Sequence, residues 1–316
     1  MGTITHLHER LRPAPSHVGS EDDALHRAAE IAARGLASRR QLRDELSQAG
    51  LLGVSIPADF AGLDVSNGVL AEIVASLSAK GDDGAAVLIG HQAALEALRN
   101  SGSEEQRRVL FARVAAGESF HLIETASTLK LAADALGSRL DDLQSLAGHG
   151  SEADWLAVFA HNEAGGECLA VFSRQDLLAA QEPGQMPGLH VSVDGVLPCR
   201  AGARAMSEVM RRFLQGAVVQ GRARAGGFQS AIPHYDGLSQ ARFVLEKESL
   251  AALLERCGLA IDAAQVNPGP QTIEAAAMAA LILQAAAERM FTVLGLEVSG
   301  QPALNALASR LEPGRH

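Results

Sequence analysis

The chain has 316 residues, of which 47% are apolar and 20% charged, an ordinary globular balance with enough length for a large core or for two to three subdomains. Its net charge of −10 argues against a nucleic-acid surface, and no run reaches the ~20 apolar residues that a bilayer span needs. Aromatic residues make up only 3%, so Ala, Leu and Val must build the core, a composition that favours helix.

Residues 1–19 are polar, carry Pro13 and Pro15, and read as a loose arm with no apolar leader. Ser20 opens a helical stretch, SEDDALHRAAEIAARGLASRRQLRDELSQAG, with Asp22 and Asp23 in its first turn and Gly50 as its stop. Residues 51–66 carry Pro57 and Gly62 without periodicity and read as a loop. Helices follow in NGVLAEIVASLSAKGDD and DGAAVLIGHQAALEALRNSG, then in SEEQRRVLFARVAAGE, where Ser103 and Gln106 have capping-box spacing. After Gly117 the character changes. SFHLIETAS is a candidate strand, and WLAVFA and CLAVFS flank the polar turn HNEAGGE as a hairpin. PGLHVSVDG adds another strand. The basic stretch RRFLQGAVVQGRARAG reads as a solvated face. Helix returns at Leu238 and is interrupted by NPGP, and the Ala-rich TIEAAAMAALILQAAAERMFTVLGL reads as a helix buried in a bundle or at a subunit interface. The expected organisation is therefore α+β and mainly α: an arm over 1–19, an N-terminal helical domain over 20–118, a middle β domain over 119–226 and a C-terminal helical domain over 227–316.

Cys168, Cys199 and Cys257 are far apart, and no Cys/His spacing points to a metal. Reduced, buried thiols in a cytoplasmic protein are the expectation.

Four stretches carry a family resemblance in order: LRDELSQAGLLGVSIPADFAGLDVS, GHQAALEALRNSGSEEQRRVLFARVAAGE, SEADWLAVFA and PGLHVS. Together they resemble the acyl-CoA dehydrogenase family, and the α–β–α order fits it. The resemblance implies an FAD flavoprotein, a homo-oligomer (dimer or tetramer) or hetero-oligomer with a homologue, and an acyl-CoA or other small-molecule substrate. It implies no nucleic-acid or membrane partner. Its chemistry would be oxidation of an acyl thioester or, in related members, hydroxylation by reduced flavin and oxygen.

The same resemblance implies positions for the site. Glu124 stands at the Glu of the family's flavin motif, where Ile123 and Ala126 replace its Thr and Pro. In QSLAGHGSEADW, Gly148 takes the place of a flavin-bonding Thr, with His149 and Ser151 as nearby polar substitutes. Arg204, after a Gly-rich turn, matches a phosphate- or flavin-contacting Arg. No Tyr-Glu-Gly-Thr base segment occurs, and Glu246 and Glu248 lie on a helix face of EKE type. A monooxygenase would instead use a His near the flavin, for which His91 and His121 are the candidates. Two classes stay open: a flavin-dependent oxidoreductase, or a binding or assembly subunit that has lost the flavin.

Overall fold

The computed structural model describes residues 13–35, 38–79, 83–125, 129–134, 137–141, 152–181, 188–225 and 237–293. The first helical stretch is two helices, α1 (Glu21–Arg34) and α2 (Arg39–Gln48). The single long helix expected from Ser20 to Gly50 is broken because Gly35 takes a left-handed conformation and Ser38 caps the second helix through Gln41 N–H. Two short 3₁₀ turns, Leu51–Gly53 and Ala58–Phe60, occupy the expected loop. α3 (Asn67–Ser78), α4 (Asp83–Arg99) and α5 (Glu104–Ala115) follow. The capping box at α5 is complete: Ser103 Oγ accepts from Gln106 N–H, and the Gln106 side chain accepts from Ser103 N–H.

The strands are β1 (Phe120–Ile123), β2 (Leu129–Asp134), β3 (Gly137–Leu140), β4 (Trp155–Asn162) and β5 (Glu167–Ser173). A short helix α6 (Arg174–Ala180) precedes β6 (Leu189–Ser192) and β7 (Val196–Pro198). They form one sheet in the order β6-β3-β2-β4-β5-β7. β1 and β2 both run parallel to β4 on one edge, end to end: β1 pairs with Trp155–Val158 and β2 with Ala160–Asn162. The expected hairpin β4–β5 forms, with Trp155 opposite Ser173 and His161 opposite Glu167.

β4 and β5 are buried on both faces, which is why WLAVFA and CLAVFS read as unbroken apolar runs. Ala157, Phe159, Leu169 and Val171 pack with Leu95, Leu98 and Phe111 of the N-terminal helices. Leu156, Val158, Ala160 and Phe172 pack on the opposite side with Leu131, Leu140 and Val191. Arg43, 8% exposed, ties α2 to the entry of β4 by donating to Glu152 O at 2.9 Å and pairing with Asp154 at 3.3 Å.

Helix α7 (Ala203–Arg224) follows the sheet directly, so segment 119–226 holds a β part and a long helix. α7 packs against α3, α4, α8 (Gly237–Val266) and α9 (Pro270–Val293). Its buried face of Met206, Phe213, Leu214 and Ala217 lies in the main helical core, so the arginine-bearing stretch expected at the surface belongs to a central helix. The charged ends remain at the edge, where Arg224 pairs with Glu72 and Arg212 with Glu208. Among the described residues no helix is long and apolar enough to cross a membrane.

Candidate functional site

A polar cleft lies where the N-terminal and C-terminal helices meet. Its lining comes from Ser55 and Val65 of the loop, Asn67 at the start of α3, four positions of α4, Met210 of α7 and Gln265 of α8. The α4 positions are Gln92, Leu95, Glu96 and Arg99, one helix face at spacings of three and four. Glu96 is 3% exposed, and both carboxylate oxygens are used. Asn100 Nδ2 donates to one at 2.9 Å, and Gln265 Nε2 to the other at 2.7 Å. Gln265 Oε1 accepts from Asn67 Nδ2 at 2.9 Å, and Asn67 Nδ2 also donates to Asp262 at 2.6 Å. Arg99 donates to Ser55 O at 3.2 Å and pairs with Asp64 at 2.5 Å. A continuous polar chain thus crosses from α8 to the 51–66 loop.

Two buried atoms in the lining have no hydrogen-bond partner, Gln92 Nε2 and Ser55 Oγ. Leaving such groups unpaired costs about 1–3 kcal/mol each. The free space, about 10 Å³, suits one water that could serve both, and is far too small for a flavin or an acyl thioester. This cleft was not anticipated from the sequence, although Gln92, Glu96 and Arg99 form a polar stripe within an otherwise apolar helix.

The two candidate histidines do come together, at the seam of α4 and β1. His91 is completely buried. Its Nδ1 accepts from Phe120 N–H at 3.0 Å, which requires that nitrogen to be unprotonated, so Nε2–H donates to Leu52 O at 2.9 Å. Burial pushes its pKa down to about 4. The ring is a strut between the 3₁₀ turn and the sheet, not an available acid or base. His121 on β1 is half-buried, and its ring lies where a side chain at Gly90 would be, with Nδ1 only 2.2 Å from an ideal Cβ there.

Of the cofactor candidates, Glu124 is exposed just beyond β1 and pairs with Arg211 of α7 at 2.8 Å. Arg204, in the first turn of α7, pairs with Glu167 at 2.6 Å and sits 4.5 Å above the Phe159 ring. Gly148, His149 and Ser151 lie outside the described residues. Of the described candidates, Glu124 and Arg204 each hold an ion pair within the chain. Glu246 pairs with Arg289 at 3.4 Å, and Glu248 is exposed. Burial raises the thiols of Cys168 and Cys257 to about 11 and about 12, so both are protonated at neutral pH. Among the described residues no group of three or more His, Cys, Asp or Glu could hold a metal ion.

Residues 20–118 match the family model described as acyl-CoA dehydrogenase, N-terminal domain. Comparison with curated proteins gives no match. Among solved structures, dibenzothiophene monooxygenase from Paenibacillus sp. A11-2 is 15% identical, with 91% of this chain and 88% of that chain covered at a TM-score of 0.68. Methanesulfinate monooxygenase from Pseudomonas fluorescens is 16% identical over 91% and 89% at 0.60. Nitroalkane oxidase from Podospora anserina is 13% identical over 89% and 87% at 0.63. Residues 20–118 thus carry the acyl-CoA dehydrogenase N-terminal domain, and the chain as a whole, with helices, sheet and helices in this order, has the acyl-CoA dehydrogenase-like fold.

Proposed function

We propose that the protein is a flavin-dependent oxidoreductase acting on a small organic substrate, an acyl thioester or a related small molecule. The observation that carries this reading is likeness across almost the whole of both chains to an FMN-bound structure of the dibenzothiophene monooxygenase, with a TM-score of 0.62. Within it, reduced-flavin monooxygenase chemistry draws support from a second monooxygenase among the similar structures. The bound group would be FMN or FAD, and a cytoplasmic location and homo-oligomeric assembly are part of the proposal.

A second reading, a binding or assembly subunit without flavin, is favoured by one specific observation. The described residues expected at the cofactor are spent on internal contacts, Glu124 on Arg211, Arg204 on Glu167, and His91 on Leu52 and Phe120.

Flavin uptake separates the two. Purified protein incubated with FAD or FMN, oxidised and reduced, is expected to retain absorbance bands at about 370 and 450 nm after desalting. Bleaching of those bands by acyl-CoAs would mark a dehydrogenase; oxygen consumption with reduced flavin would mark a monooxygenase. A protein that stays colourless with all four forms rejects the enzymatic reading and leaves the assembly reading standing.

A further inference from the structure

The polar cleft has the walls of a site for one small guest. Gln92, Asn67, Glu96 and Met210 line it and are each at most 3% exposed. Gln92 brings a primary amide into that space, yet its Nε2 has no hydrogen-bond partner among the described residues, and neither has Ser55 Oγ. The two groups come from different segments, Gln92 from α4 and Ser55 from the loop between the two 3₁₀ turns. Arg99 of α4 donates to the Ser55 carbonyl, so the backbone that carries this hydroxyl is held beside the helix.

Size, polarity and charge together select the guest. A space of about 10 Å³ admits one non-hydrogen atom. Gln92 Nε2 only donates, so the guest must accept. Glu96 supplies the complementary demand. Its carboxylate oxygens take one bond each, from Asn100 and from Gln265, and a carboxylate oxygen has room for a second. A guest that accepts from Gln92 and donates to Glu96 carries both a lone pair and a hydrogen. A halide would face the Glu96 charge, and a metal cation would face the Gln92 N–H groups and the Arg99 guanidinium. An apolar guest would leave every polar wall unpaired. Water has the size and both functions.

We propose that one water molecule occupies the cleft as a structural component, accepting from Gln92 Nε2, sharing a hydrogen bond with Ser55 Oγ and donating to Glu96. It ties the loop hydroxyl to the polar chain that runs from Glu96 through Gln265 and Asn67, and it fixes the Gln92 amide with its nitrogen inward. Side chains from the loop, α3, α4 and α8 thereby form one hydrogen-bonded unit. The proposal is independent of whether flavin is bound.

Two measurements on the full chain test it. A high-resolution crystal structure is expected to show an ordered water within about 3.2 Å of both Gln92 Nε2 and Ser55 Oγ. A site without water density there, or a Gln92 amide turned to a protein partner, overturns the proposal. Urea unfolding of Gln92→Leu, Ser55→Ala and the double variant reads the same bridge energetically. Each single change is expected to lower the folding equilibrium constant about fivefold, whereas removing a group that had no partner would raise it. Because both bonds go to one molecule, the double variant is expected to match the single ones rather than fall about 25-fold, as independent sites would. Stabilised single variants, or losses that multiply, overturn the bridge. Where a variant does not fold, the wild-type crystal structure decides.

Discussion

Replacing His91 by leucine is expected to destabilise the protein by about 2–4 kcal/mol, read as a lower midpoint in urea unfolding. The imidazole joins two backbone groups, Leu52 O in the 3₁₀ turn and Phe120 N–H at the first residue of β1. Leucine fills the volume and satisfies neither. The wild-type protein should also show a pH signature that the variant lacks. In the unfolded chain the imidazole takes up its proton near pH 6.5, whereas in the folded chain burial holds it off until about pH 4. Between those values the unfolded state binds more protons, so stability falls as pH falls from 6.5 towards 4, by about 3 kcal/mol from this residue. Above pH 6.5 the contribution is complete and flat. Difference curves between wild type and His91→Leu isolate it from the other ten histidines. A variant with unchanged midpoint and the same pH slope would remove the strut from the account. A catalytic role would instead leave stability intact and abolish turnover.

This histidine shows where sequence reading stops. A lone His on an apolar helix is legible as a chemical candidate, but its partners lie 39 and 29 residues away, and only packing reveals them. Features with local causes were legible: the Ser20 and Ser103 caps, the β4–β5 hairpin with its polar turn, and the helix pair α4–α5. The break at Gly35 had local signals too, a glycine followed by Ser38 as a cap, but they lay inside a stretch whose composition favoured one long helix. β2 and β3 were hidden because LKLAAD and GSRL are short and carry charge. Their strand conformation comes from the ladder with β4 and β6. The cleft was half legible. Gln92, Glu96 and Arg99 mark one face of α4, but Asn67 and Gln265, which complete the polar chain, arrive from helices far away in the chain.

Helix α7 holds that arrangement in place, and its glycines allow a graded test. Gly221 is expected to be the least tolerant: an ideal Cβ there would lie 2.1 Å from Ala75 O, a backbone atom of α3 that has no rotamer to yield. Gly221→Ala gains up to about 1 kcal/mol in helix propensity but must push α3 and α7 apart, and a net loss of about 1–3 kcal/mol is expected, more for Gly221→Val. At Gly216 of the same helix the obstacle is the buried Leu283 side chain, with Cδ2 and Cγ both at 2.9 Å, which can shift more readily than backbone, so Gly216→Ala should lie closer to neutral than Gly221→Ala. At Gly258 on α8 the nearest atoms stand at 3.4 Å, ordinary contact, and Gly258→Ala should stabilise by up to about 1 kcal/mol. The order of thermal midpoints, Gly258→Ala above wild type, Gly216→Ala near it and Gly221→Ala several degrees below, follows from which atom each new methyl meets. Equal midpoints for all three would mean that the α3–α7 contact is looser than drawn. The consequence reaches the site because α7 carries Met210 into the cleft and Arg211 to Glu124. Widening the α3–α7 seam displaces the helix that joins the cleft to the edge of the sheet, so Gly221→Ala is also expected to disturb the Arg211–Glu124 pair.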